Sequence, residues 1–331
     1  LVVQGCRFPD SLDRYDPANY EIYGGKNYSC DLMYDKMVKF VEDNAASPFF
    51  LMWTTTVPHS AVQAPADEVK YYVDKLGDEE PCTNPGMYLP NRYPHATYAA
   101  MVTHIDTQVG KLVKKLKDLG VWDNTIFIVS SDNGPASNGN SPMEYFQSGG
   151  PFKCGKGWGK SSLHEGGIRM PFILRWGNNK NCGRITRMSS FADLMPTLAE
   201  IAGVNAPEND GVSFAPTVLA QTRGGQRYAK ANDIILAPQR DHEYLYWEFP
   251  ASKGWVAVRM GEWKGIVRKV LKGNSEMELY NLNDDPQEQN DVAASHPEIV
   301  RSMWSAVRDS HCDANPEVPK FCMDINYPDS L

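Results

Sequence analysis

The sequence contains no run of eighteen apolar residues, so no segment reads as a membrane span; its longest apolar stretches are strand-sized. It has no surplus of basic residues. Against 33 Lys and Arg stand 41 Asp and Glu, a formal net charge of −8, which excludes the basic field that sequence-independent nucleic-acid binding requires. Its seven cysteines form no CxxC pair and have no histidines at zinc spacing, which speaks against a zinc site. Internal repeats and low-complexity tracts are missing as well. Neither an initiator methionine nor a signal-type leader precedes Leu1, so the chain is expected to begin after processing or inside a longer coding sequence.

What is present suits a soluble enzyme. At 331 residues, 42% hydrophobic and 22% charged, the chain can build one large core or a main domain with a smaller one. The odd cysteine count leaves at least one thiol unpaired or paired outside the chain. Cys312 and Cys322 flank a short polar segment and are candidates for a local disulfide. Asn27-Tyr28-Ser29 matches the glycosylation triplet.

Apolar spacing predicts a helix over Asp31–Asn44 and a buried strand over Phe49–Thr54. A polar, proline-rich stretch from Pro58 to Pro94 reads as a loop with short helical pieces. The three-and-four spacing of Tyr98, Met101, Val102, Ile105, Val109, Leu112, Val113 and Leu116 predicts a helix over Ala96–Leu119, stopped by Gly120. Thr125–Val129 and Met170–Trp176 are strand-length apolar runs, and Ser190–Ala202 reads as a helix. Strands alternating with amphipathic helices imply an α/β fold with a mostly parallel mixed sheet flanked by helices. Past about Gly225 the pattern changes. Glu243–Phe249, Trp255–Met260, Trp263–Val270 and Met277–Leu282 predict an antiparallel sheet, closed by an amphipathic segment over Pro297–Arg308. The expected division is therefore a main α/β domain over 1–225 and a smaller C-terminal α+β subdomain over 226–331.

Ser131-Asp132-Asn133-Gly134-Pro135 follows the Thr125–Val129 strand. A carboxylate and an amide oxygen at a strand exit suit a hard cation, Ca²⁺ or Mg²⁺; an ordinary Asx turn uses the same residues. From Lys153 to Gly167, three lysines and a histidine lie among five glycines. Such a loop is either solvated and mobile or an anion cradle, in which Lys156 and Lys160 would work beside the cation. His59, in Val57-Pro58-His59-Ser60, would sit beyond a strand end, where an imidazole can give a proton to a leaving oxygen. His104 and Asp106 read as packing or surface residues of their helix, and Asp284-Asp285-Pro286 as a turn with an N-cap.

In this order, "PFFLMW…PH", "LKDLGVWDNTIFIVSSDNGP", "GK" ahead of "HEGGIRMP", "DLMPTLAEIAG", "EYLYWEF", "AVRMGEWK" and "ELYNLNDDPQEQND" resemble the sulfatase family of the alkaline-phosphatase-like superfamily. The likeness covers nearly the whole chain from about Asp31 and is nearest the arylsulfatase A and N-acetylgalactosamine-6-sulfatase branch. It implies that Asp132 and Asn133 ligate a divalent cation, usually Ca²⁺. It further implies that Lys160, with Lys156 as a neighbour, contacts the sulfate, and that His59 binds the sulfate and serves the leaving alcohol. It also implies a sulfated carbohydrate as substrate and a periplasmic, secreted or lysosomal location.

The departures are as specific. Sulfatases of this kind use a formylglycine made within a Cys/Ser-x-Pro-x-Arg motif. Cys6 is followed by Arg7-Phe8-Pro9 and Cys82 by Thr83-Asn84-Pro85, so neither fits. The early Asp-Asp metal pair and the Gly-Lys-x-x-His segment of the family are absent too. The expectation is a C-terminal portion of a sulfatase, inactive by itself, completed by an N-terminal fragment or associated as an oligomer. Two other readings stay open: a phosphomonoester or phosphonate hydrolase of the same superfamily, and a non-catalytic module binding sulfated glycans.

Overall fold

The computed structural model describes residues 7–86, 88–137, 140–177, 183–222, 239–312 and 323–328. The described residues form two compact units, one over 1–125 and 135–148, the other over 126–134 and 149–331. The boundary expected at 225 and 226, and Cys322 of the suggested disulfide, lie outside the described residues. None of the described helices is long and apolar enough to cross a membrane.

The first unit is built on helices α1 (Ser29–Asn44), α2 (Ala66–Leu76) and α3 (Pro94–Asp118). Proline at the first position of α3 suits a helix start, where its missing N–H costs nothing. The Glu79 carboxylate accepts from the next two amides, those of His95 and Ala96, at 2.9 and 3.0 Å. Cys30, Val57, Val62 and Met101 form the core between these elements. His104 is buried between the Asp31 and Glu68 carboxylates, each 2.9 Å from a ring nitrogen, which makes it a packing residue tying α3 to α1 and α2. The strand expected over Phe49–Thr54 is not one. The segment alternates between half-buried and exposed residues as a strand would. Yet no described strand pairs with it, and Phe50 and Met52 are each more than 70% exposed. Extended sequence becomes sheet only when a neighbour completes its ladder.

The second unit begins with β1 (Ile126–Ser130), which pairs antiparallel with β2 (Phe172–Trp176), Ser130 lying opposite Phe172. The short helix α4 (Glu165–Ile168) lies in the connection between them. After β2 come α5 (Leu194–Ala202), preceded by a 3₁₀ turn over Phe191–Asp193, and α6 (Ala215–Thr222). The predicted antiparallel sheet is present as β3 (Leu245–Phe249), β4 (Trp255–Met260), β5 (Trp263–Arg268) and β6 (Met277–Asn281), in sequence order, closed by α7 (Pro297–Ser310). The α/β class and this C-terminal sheet agree with the sequence. Both sheets among the described residues are antiparallel throughout, so the parallel pairing expected around Thr125–Val129 is not seen there.

The C-terminal sheet is buried on both faces, and the period of two sorts its side chains. Val256, Val258, Val267, Met277 and Leu279 face Met303, Trp304 and Val307 of α7. Trp255, Ala257, Ile266 and Tyr280 face Leu163, with Ile168 packed alongside. The glycine–lysine loop is therefore docked on this sheet. Trp304→Ala, at a side chain 1% exposed, is expected to cost roughly 3–5 kcal/mol in urea unfolding; a loss under about 1 kcal/mol would contradict its placement at the centre of that core.

Candidate active site

At the end of β1 the Ser130 hydroxyl donates to the Pro171 carbonyl at 2.9 Å, closing the exit of β1 onto the start of β2. The turn that follows leaves Asp132 exposed and Asn133 half-buried. Asn133 Nδ2 donates to the Gly134 carbonyl at 3.0 Å, which leaves its amide oxygen available. Two residues past Asp132 the backbone is fixed. Gly134 N–H donates to the Gly167 carbonyl at 2.8 Å, and a Cβ at Gly134 would lie 2.0 Å from the Gly166 carbonyl oxygen. Only glycine permits that approach.

Gly166 is equally enclosed. A Cβ there would meet the Lys153 and Trp158 carbonyl oxygens at 2.1 and 2.5 Å, and one at Gly167 would meet the Gly159 oxygen at 2.5 Å. The Glu165-Gly166-Gly167 segment thus fills the coil of the loop that carries Lys153, Lys156 and Lys160. Trp158 stacks on His164 with centroids 4.0 Å apart, and the Lys153 ammonium sits 3.8 Å from the Trp158 centroid. Lys156 is exposed and Lys160 half-buried. Neither makes an ion pair among the described residues, so both ammonium groups remain for an anion.

Beneath the loop lies a buried cluster of charges. Glu165 is 2% exposed and Lys264, from β5, is fully enclosed. Lys264 Nζ stands 2.8 Å from Glu165 Oε1 and 3.3 Å from Glu288 Oε1. Glu165 Oε2 takes Arg169 at 2.8 Å and Arg259 at 3.3 Å, while the Glu165 amide donates to Glu288 Oε2 at 2.6 Å. Burial pushes the Glu165 carboxyl up, but Lys264, Arg169 and Arg259 outweigh it and hold the group down at about 2.

The structure brings four of the five expected site residues into one unit: Asp132, Asn133, Lys156 and Lys160, joined through Gly134, Gly166 and Gly167. His59 belongs to the first unit. It is exposed, its Nδ1 donates to the Ser60 carbonyl at 2.7 Å, and Tyr88 lies edge-on at 5.8 Å. That hydrogen bond leaves Nε2 as the acceptor in the neutral ring. Asp285 lies in the expected turn, accepting from the Gln289 and Asn290 amides at 2.7 Å, but it caps no helix, since the next element is the 3₁₀ turn Ala293–Ser295. Lys264, Glu288 and Arg259 had no sequence motif to announce them. The only signal was a lysine on the inward-facing side of an alternating strand, in phase with Ile266.

Oxygen donors from Asp132 and Asn133 fit a hard cation in kind and fall short in number. Among the described residues no group of three or more His, Cys, Asp or Glu is placed to hold a metal ion.

Comparisons with known proteins give the family of the chain. The family described as Sulfatase matches residues 6–204, and that described as N-sulphoglucosamine sulphohydrolase, C-terminal, matches 156–311. The chain belongs to the sulfatase family. Human N-acetylgalactosamine-6-sulfatase is 28% identical over 83% of this chain and 50% of its own length. The mouse protein of the same name is 33% identical over 73% of this chain and 44% of its own. A crystal structure of Ps i-CgsB in complex with k-i-k-neocarrahexaose is 25% identical with a TM-score of 0.66, covering 86% of this chain and 55% of that one. The chain thus spans about half the length of the relatives it matches.

The Glu165 cluster has a pH signature. A carboxyl lowered from 4.5 to about 2 on folding stabilises fully above pH 4.5, and its contribution is lost as pH falls through about 2. Glu165→Gln is expected to remove on the order of 3 kcal/mol of that acid dependence, measured by urea unfolding at successive pH values between those limits. An unchanged slope would place the carboxylate outside the charge cluster.

Proposed function

We propose that this chain forms part of the active site of a sulfate monoester hydrolase acting on a sulfated carbohydrate. The observation that carries the reading is the junction at Gly134. It fastens a turn with available carboxylate and amide oxygens to a loop with two uncommitted lysines, in a chain of the sulfatase family. Asp132 and Asn133 would hold Ca²⁺, with Mg²⁺ as the alternative; the cation, when bound, supplies positive charge to the ester oxygens. Lys160 neutralises a sulfate oxygen as charge shifts during transfer, and Lys156, being exposed, contributes to attraction more than to contact. For His59, which belongs to the other unit, the family resemblance is the support for a sulfate-binding and proton-donating role; with Nδ1–H given to the Ser60 carbonyl, the ring would have to carry a second proton at Nε2 to supply the leaving alcohol.

In this reading the nucleophile would be supplied from outside these 331 residues, in which no Cys/Ser-x-Pro-x-Arg motif occurs. A formylglycine is the nucleophile expected of that motif. The sulfated sugars named with the relatives make a 6-sulfated hexosamine the first substrate to try. A compartment outside the cytosol fits such a substrate.

The test is hydrolysis of N-acetylgalactosamine 6-sulfate by the gene product that includes the nucleophile motif. Lys160→Ala and Asp132→Asn should each lower kcat/KM by about 100-fold or more, and the 331-residue chain by itself should show no turnover. Turnover by the 331-residue chain that disappears with Lys160→Ala would overturn this division of labour. Hydrolysis of a phosphate or phosphonate ester in preference to the sulfate would overturn the substrate class.

A further inference from the structure

We infer that Lys264 is a positioning residue: from within the C-terminal sheet it sets where Lys160 and the Asp132-Asn133 turn stand, acting through Glu165 and Glu288. The inference rests on the reading of Lys160 as the sulfate-binding lysine.

Three observations carry it. Lys264 is the one cation among the described residues that touches both buried carboxylates. Those carboxylates grip α4 at its start, Glu165 as its first residue and Glu288 by accepting the Glu165 amide. From there the path is backbone. Gly166 and Gly167 are enclosed by the carbonyls of Lys153, Trp158 and Gly159, and Gly167 accepts from Gly134. Lys160 follows Gly159 directly, and Asp132 lies two residues before Gly134. A shift of the Lys264 ammonium is therefore passed to both halves of the site with no mobile side chain intervening.

Adhesion alone does not call for this cluster. Leu163 and Ile168 already pack on Ala257, Ile266 and Tyr280, and an apolar residue at position 264 would extend that contact at lower desolvation cost. Apolar surfaces, however, tolerate sliding. A lysine held by a 2.8 Å charge-assisted hydrogen bond to Glu165 and a 3.3 Å ion pair with Glu288 does not, since moving toward either carboxylate weakens its hold on the other. The cluster supplies location where the apolar contact supplies attachment.

The experiment titrates the 331-residue chain with N-acetylgalactosamine 6-sulfate and follows backbone amide shifts, with hydrogen exchange measured on the same samples. Wild type, Lys160→Ala, Lys264→Met and Glu165→Gln are compared. Lys264→Met and Glu165→Gln should weaken binding by about tenfold and speed exchange at Lys160 and Gly167 by a similar factor. The β4 and β5 amides should lose only the protection that the variant's fall in global stability takes from every amide, so that the added loss stays confined to the loop, which a merely structural role would not allow. If Lys264→Met does not fold, the shape-conserving Glu165→Gln decides by itself. Wild-type affinity and loop exchange in a folded Lys264→Met protein, or in Glu165→Gln if that is the variant that folds, would overturn the inference. Failure of the wild type to bind, or undiminished binding by Lys160→Ala, would instead sink the functional reading; the exchange at Lys160 and Gly167 then decides the positioning role separately.

Discussion

The contact between Lys264 and the paired carboxylates of Glu165 and Glu288 is the constraint on which the rest of the second unit depends. Three charges are removed from water there, and Arg259 and Arg169 join at the edge. Such burial is tolerable only when each carboxylate finds several donors and the ammonium finds several acceptors. Glu165 meets that condition with three cations, while Glu288 accepts the Glu165 amide at Oε2 and holds Oε1 within ion-pair distance of Lys264 and His164. One consequence is that the glycine–lysine loop cannot settle on the sheet in another register without stranding a charge. A long polar loop is thereby given one position, although Lys, Gly and Ser are residues that ordinarily leave a loop free.

That positional role explains the crowding of glycines above the cluster. Gly134, Gly166 and Gly167 permit three stretches of backbone to meet at distances no side chain would allow. The antiparallel pairing of β1 with β2 brings the same stretches together from below, because Ser130 and Phe172 are opposite each other. A cation-suited turn and an anion-suited loop thus become neighbours through backbone geometry, and their charged side chains stay outside the packing that places them. Under the proposed function, that division separates the groups that hold from the groups that would react, as an electrostatically preorganised site requires.

Much of this was legible in the sequence. The helix over Pro94–Asp118 and the four C-terminal strands carry uninterrupted periodicity, and burial on one or two faces follows from it directly. Asp132, Asn133 and Lys160 stand out as candidates because motif spacing is local. Phe49–Thr54 misled because its strand pattern is real while the pairing that makes a strand is not local. Lys264 and Glu288 were invisible for the same reason. Each lies about a hundred residues or more from Glu165, and neither a lysine in a strand nor a glutamate in a turn announces a buried partner.

The central claim is that the Asp132-Asn133 turn and Lys160 are adjoining parts of one sulfate-ester site. A crystal structure of the protein grown with calcium and N-acetylgalactosamine 6-sulfate tests it most directly. The account expects one cation at about 2.3–2.6 Å from oxygens of both Asp132 and Asn133, with Lys160 Nζ at about 2.7–2.9 Å from a sulfate oxygen. A cation and sulfate bound elsewhere, with Asp132 and Lys160 left in solvent, would contradict it.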